Sequence, residues 1–202
     1  LGKVPVVVED RPGFVVNRIL MPYLLEAVRL VEEGVPTDRI DKAMLDFGMP
    51  MGPLRLLDEI GLDVAQHVYH TLREAFANRL PELKTLDLLL DAGKLGKKSG
   101  HGFYRYTKAD ATPDALSSET NPLDAESIQL RLSLVLSNEA ALCLHEGVAA
   151  NASDIDLAMV LGTGYAPFRG GPLQHLDSIG RDYARSELHR LAHTVPPPNP
   201  YT

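Results

Sequence analysis

The sequence predicts an all-α protein built from two tandem copies of one helical unit. Three observations carry this. LLEAVRLVEEGV (Leu24 to Val35) aligns with SNEAALCLHEGV (Ser137 to Val148); 139 − 26 and 148 − 35 both give an offset of 113. IDKAM (Ile40 to Met44) and GPLRLLDEIG (Gly52 to Gly61) then recur in order as IDLAM (Ile155 to Met159) and GPLQHLDSIG (Gly171 to Gly180), so the second copy carries small insertions. Within the copies, apolar residues such as Ile40, Ala43, Met44 and Phe47 recur at i, i+3, i+4 and i+7, the stripe of a helix with one buried face.

VPVVVEDRPG, near the N-terminus, reads as a short strand running into a turn. A lone strand has no partner in a helical chain. With Leu1 in place of Met, this suggests a piece of something longer. The first helix is expected from about Arg18 to Glu33, stopping at Gly34, with a kink at Pro22, whose ring removes a backbone donor and frees the Arg18 carbonyl. Thr37 is the expected N-cap of the next helix and Gly48 its C′ stop. Pro53 suits the first position of a short helix ending at Gly61. Asp63 is expected to cap a fourth helix with Val64, Val68, Leu72 and Ala75 on one side, and a fifth spans about Thr85 to Ala92. Thr107 to Ser127 is polar, holds Pro113 and Pro122, and reads as a linker. The expected division is 1–106 for the first copy, 107–127 for the linker, 128–195 for the second copy and 196–202 for an irregular proline-rich tail.

Hydrophobic residues make up 45% of the 202, enough for a core, and the net charge of −7 argues against nucleic acid, whose phosphates need a basic face. Cys143 is the only cysteine, which rules out an intrachain disulfide and points to a reducing, cytoplasmic setting. No apolar run reaches membrane-spanning length. Two glycine-rich stretches fail as nucleotide motifs. GTGYAP (Gly162 to Pro167) has proline where a third glycine belongs and follows a helix, while GKLGKKSG (Gly93 to Gly100) has Lys98 where a phosphate loop needs Ser or Thr. The seven histidines show no metal-ligand spacing with acids; His67 and His70, at i, i+3, read as structural, and Cys143 reads as a small core residue. No metal is expected.

Longer motifs bring in a resemblance. PGFVVNRILMPYLLEA (Pro12 to Ala27), GMPMGPLRLLDEIGLD (Gly48 to Asp63) and KLGKKSGHGFYRY (Lys94 to Tyr106) are similar to the C-terminal helical domain of 3-hydroxyacyl-CoA dehydrogenases. NEA (Asn138 to Ala140) and APFRGGPLQHLD (Ala166 to Asp177) resemble the second such domain in the fatty-acid oxidation multienzyme α-chain. The resemblance implies the 6-phosphogluconate dehydrogenase C-terminal-like fold, with the Rossmann domain absent. It implies NAD-dependent oxidation of a 3-hydroxyacyl-CoA to the 3-ketoacyl-CoA in β-oxidation. NAD is then bound mainly by the missing N-terminal domain, which also carries a histidine–glutamate dyad. The implied partners are the acyl-CoA substrate, an upstream Rossmann and enoyl-CoA hydratase domain, and a thiolase subunit, in a bacterial cytoplasm.

One site residue maps onto the chain: the asparagine of PGFxxNR falls on Asn17. Its amide suits orienting a general base or a substrate oxygen, since it donates and accepts without titrating; the alternative from position alone is a helix cap. The residue aligned with Asn17 is Leu130, because Arg18 aligns with Arg131, so the second copy is expected to be catalytically silent and to serve by packing on the first. Lys94, Lys97, Lys98, Arg105 and Lys108 form either a solvated turn or a contact to coenzyme A phosphates. Two other functional readings stand beside this one: a helical assembly module, and a domain of a related hydroxy-acid dehydrogenase that uses no CoA.

Overall fold

The computed structural model describes residues 4–76, 79–108, 110–114, 116 and 121–201; Leu1, Thr202 and part of the expected linker lie outside the described residues. Nine α-helices appear among those described: α1 (Val16–Glu32), α2 (Thr37–Phe47), α3 (Pro53–Ile60), α4 (Leu62–Phe76), α5 (Lys84–Asp91), α6 (Ala125–His145), α7 (Ala152–Thr163), α8 (Pro172–Ile179) and α9 (Arg181–Thr194). Between α5 and α6, β1 (Tyr104–Tyr106) and β2 (Ala111–Pro113) pair antiparallel, Tyr104 opposite Pro113.

The core centres on α1 and α6, the first long helix of each copy, which pack against each other. The copies interlock around them: α2 packs on α6, and α7 packs on α1, while α3 stays on α1 and α8 on α6. Helix α1 runs unbroken through Pro22 and is buried on nearly every side, from Ile19 to Val31.

The repeated IDxAM and GPL motifs now have one physical explanation. A short helix leaves its first N–H groups unpaired, and a carboxylate placed there satisfies them and favours the positive end of the helix dipole. Asp41 of α2 accepts from the N–H groups of Leu54 (2.9 Å) and Arg55 (3.0 Å) at the start of α3. Asp156 of α7 accepts from Leu173 (2.8 Å) and Gln174 (3.1 Å) at the start of α8. Glycine precedes each helix because the carboxylate comes so close: a Cβ on Gly52 would stand 2.2 Å from Asp41 Cγ, and one on Gly171 2.4 Å from Asp156 Cβ.

Several expectations are corrected. Thr37 is the first residue inside α2, not its N-cap, which is Pro36 with no side-chain hydrogen bond; Asp63 lies inside α4 and bonds Lys98 instead of capping. The backbone N–H groups do not need them there. Ile40 N bonds the Pro36 carbonyl, and Ala65 N bonds the Gly61 carbonyl. Gly48 does stop α2, at φ 114°. The N-terminal segment has a partner after all, since Val8 bridges Ala149 and Glu9 N donates to the Val148 carbonyl at 2.8 Å. That partner belongs to the loop before α7, which sequence reading did not place beside it. The stretch read as a linker contributes β2. The tail is irregular as expected, yet it is docked: Arg29 donates to the carbonyls of Pro196 (2.9 Å) and Pro198 (2.7 Å), and Tyr201 donates to Glu26 Oε1 at 2.9 Å.

Candidate functional site at the start of α1

The turn leading into α1 has unusual backbone. Gly13 has φ +76° and Phe14 φ +50°, a left-handed conformation that costs a side-chain-bearing residue about 1–2 kcal/mol. Phe14 N donates to the Arg11 carbonyl and Arg18 N to the Gly13 carbonyl, so the chain turns sharply just before the helix. A Cβ on Gly13 would lie 2.9 Å from both Arg18 N and Leu72 Cδ2, so a side chain there has neither the backbone conformation nor the space. Strain of this kind persists only where surrounding structure holds it, and it clusters at functional sites.

Asn17 stands in the first turn of α1, exposed to solvent. The N-cap is Val15, with no side-chain capping bond, so Asn17 does not cap the helix. Among the described residues its amide makes no hydrogen bond, which leaves both its donor and its acceptor open to an outside group. Leu130, the aligned residue of α6, is half-buried against the core.

Behind Asn17 the protein is heavily ionised. Arg18, 1% exposed, donates through Nε to Glu139 (2.7 Å) and through Nη1 to Glu146 (2.8 Å), both on the second copy. Burial works against this charge, yet the hydrogen bonds to Glu146 and Glu139 outweigh it and raise the guanidinium pKa above its ordinary value. Arg79 also reaches Glu139 (3.1 Å), and both guanidinium groups lie 4.5 Å from the centre of the Phe76 ring. Cys143 is buried in the same neighbourhood, and burial pushes its thiol up to about 12, so it is no thiolate nucleophile at neutral pH. Glu139, Glu146 and Arg79 were not singled out from sequence. The available signal was the 113-residue offset, which aligns Arg18, Glu26 and Glu33 with Arg131, Glu139 and Glu146.

Beside Asn17, Val16 lines an open groove of about 440 Å³ with Val4, Val6, Leu157, Ala158, Leu161 and Gly162. On α2, the positions aligned with Leu157 and Leu161 carry Lys42 and Asp46, an ion pair at 2.9 Å, so the outer face of α7 is apolar where that of α2 is charged.

The lysine-rich loop is held from below by Asp58, which accepts from the N–H groups of Phe103 and Tyr104 and the hydroxyl of Tyr106, each at 2.9 Å. Most of its cations already have carboxylate partners: Lys97 with Glu59 (2.6 Å), Lys98 with Asp63 (2.5 Å), and Lys94 and Arg105 with Asp114 (3.0 and 3.1 Å). Burial would raise the Asp114 carboxyl, but Lys94, His101 and Arg105 around it draw it down to about 2. Such pairing favours the reading of a self-satisfied turn. His67 and His70 are exposed on α4, and among the described residues no cluster of three His, Cys, Asp or Glu is spaced to hold a metal.

The family model described as 3-hydroxyacyl-CoA dehydrogenase, C-terminal domain, matches residues 13–106 and 128–202. The fatty acid oxidation complex subunit alpha of Psychrobacter arcticus is 38% identical over 209 residues, covering 96% of this chain and 29% of the relative. The chain thus spans less than a third of the length of such curated relatives. The crystal structure of 3-hydroxybutyryl-CoA dehydrogenase from Escherichia coli K12 superposes with TM-score 0.79 at 28% identity, covering 95% of this chain and 58% of that one. The dehydrogenase part of multifunctional enzyme 1 from C. elegans, at 23% identity and TM-score 0.64 over 98% of this chain and 48% of that one, shares the fold.

Proposed function

The chain belongs to the 3-hydroxyacyl-CoA dehydrogenase C-terminal domain family, and from that premise we propose that it is the substrate-binding and pairing part of an NAD-dependent enzyme oxidising 3-hydroxyacyl-CoA to 3-ketoacyl-CoA in β-oxidation. The division we propose is a first helical domain over 1–106, a connecting stretch over 107–127, a second helical domain over 128–195 and a tail over 196–202.

The observation that carries the reading is the unbonded amide of Asn17, presented at a strained turn on the helix that both copies bury. Its role is positioning: it orients the general base or the substrate oxygen, and its protonation does not change with pH. The residues of this chain do not fit a dinucleotide. Gly162 to Gly164 ends a helix where a phosphate-binding turn must follow a strand and open a helix, and most cations of the lysine loop are already paired with Glu59, Asp63 and Asp114. NAD and the acid–base dyad therefore belong, in this proposal, to a preceding nucleotide-binding domain. The open apolar groove at Val16 supports a part that works only when covered by another. No helix among the described residues is long and apolar enough to cross a membrane. A bacterial cytoplasmic setting, with a hydratase domain upstream and a thiolase subunit as partner, completes the proposal.

The test joins this chain to its nucleotide-binding half and follows reduction of acetoacetyl-CoA by NADH. Asn17→Ala is expected to lower kcat by on the order of a hundred-fold with an unchanged melting temperature. Undiminished turnover would remove Asn17 from the mechanism, and absence of any acyl-CoA activity in the joined enzyme would remove the reading as a whole.

A further inference from the structure

The buried ion pairs that join the two copies are one interaction made twice. Arg18 binds Glu139 and Glu146; Arg131 binds Glu26 (2.6 Å) and Glu33 (2.6 and 2.7 Å). The differences 131 − 18, 139 − 26 and 146 − 33 are all 113, so each arginine reaches the other copy's glutamates across a pseudo-two-fold axis, as in an isologous dimer interface. Removing one partner of such a pair leaves an uncompensated buried charge, so both sets carry comparable structural weight.

What each arginine holds differs. Arg131 is the seventh residue of α6, a helix already fixed at its start by Asp124, whose side chain accepts from Ser127 N at 2.8 Å. Arg18 is the third residue of α1, whose start has no side-chain cap and follows two left-handed residues. Of the first-turn side chains Val16, Asn17 and Arg18, only Arg18 makes hydrogen bonds, and both carboxylates it grips lie on the second copy. The peptide that carries Asn17 is therefore anchored through its neighbour to α6.

We propose that Glu139, on the copy that has leucine in place of the amide, is a positioning residue for Asn17, fixing the first turn of α1 through Arg18. The second copy is then part of the catalytic geometry as well as of the packing. This rests on the reading of Asn17 given above.

The pseudo-symmetry supplies its own control. In the full-length enzyme, Glu139→Gln and Glu26→Gln each remove the buried carboxylate that an arginine Nε grips, and each is expected to lower the melting temperature. Glu139→Gln should also lower kcat by on the order of ten-fold or more, with KM for the acyl-CoA little changed, whereas Glu26→Gln should leave kcat within about two-fold. In an Asn17→Ala background the Glu139→Gln effect on kcat should vanish, since both act through one group. Equal kcat losses from the two glutamine variants, or a Glu139→Gln effect that persists without Asn17, overturns the inference while leaving the role of Asn17 standing. An Asn17→Ala variant with full turnover overturns both. Should Glu139→Gln not fold, Glu139→Asp, which keeps the charge but shortens the reach, is compared with Glu26→Asp under the same expectations.

Discussion

Replacing His175 with leucine should remove a defined part of the acid sensitivity of this fold. His175 is buried in α8, with its ring edge-on to Phe47 at 5.2 Å. Burial, reinforced by the positive charge of Arg169, lowers its pKa from 6.5 to about 4. The folded pKa is depressed, so between those values the unfolded chain binds more protons. The contribution is therefore complete above pH 6.5 and is lost as pH falls toward 4. Between pH 7 and pH 5 the loss from this group alone is about 2 kcal/mol, rising to about 3 kcal/mol at pH 4. The aligned residue in the first copy is Leu56 (171 − 52 gives 119, and 175 − 119 gives 56), so leucine is a side chain this position of the unit already accepts. Urea unfolding of both proteins at pH 7, 6, 5 and 4.5 measures the effect. Wild type should lose about 2 kcal/mol more than His175→Leu between pH 7 and 5. Other titrating groups, including Asp41 with its pKa raised by burial to about 6, act in both proteins and cancel in the difference. Parallel stability curves would refute the argument, because a histidine that titrates alike in both states cannot be buried as the structure has it.

The same internal comparison sharpens two further expectations. Asp58→Asn replaces one of two oxygens that accept three hydrogen bonds, and should cost about 2–4 kcal/mol and speed amide exchange at Phe103 and Tyr104; the aligned Asp177, exposed and paired only with Arg181, should tolerate asparagine with no measurable shift in urea midpoint. An Asp58→Asn variant with unaltered exchange would mean the loop is held by something else. Gly52→Ala sets a methyl against the Asp41 carboxylate and should destabilise by more than about 3 kcal/mol, whereas Gly93→Ala, at φ +70° with nothing within 4 Å, should cost only the backbone strain of about 1 kcal/mol. Thermal denaturation of the pair tests whether close approach or conformation sets the cost.

Much of this fold was legible because the two copies check each other. The stripe of α2 and the two GPL helices were read correctly, and so was the stop at Gly48. What failed was local in appearance and tertiary in cause. Thr37 and Asp63 look like caps, but backbone groups already occupy the bonds that they would make. Val8 finds Ala149 only through the docking of one copy on the other, and the proline tail looks detachable until Arg29 and Asn138 take its carbonyls. At the site, Asn17 came from a family resemblance, and the structure shows only that its amide is exposed and unbonded. The ionised layer behind it needed contacts more than 120 residues apart in sequence, which no periodicity reveals.

The two copies are most alike where they face each other and least alike where they face outward, and this distribution is itself informative. Arg18, Glu26 and Glu33 are matched by Arg131, Glu139 and Glu146, because each pays a desolvation cost that only its partner on the other copy offsets, so neither copy tolerates change alone. No such coupling protects the exposed positions. There the second copy has Leu130 for the exposed Asn17, and Leu157 and Leu161 for Lys42 and Asp46. A unit retained only as ballast would be free to drift at its exposed faces yet bound at its buried one, which is the pattern seen. The discriminating feature is therefore Glu139: it holds Arg18 through Nε as Glu26 holds Arg131, and only a link to the chemistry at Asn17 makes loss of the two grips differ in turnover.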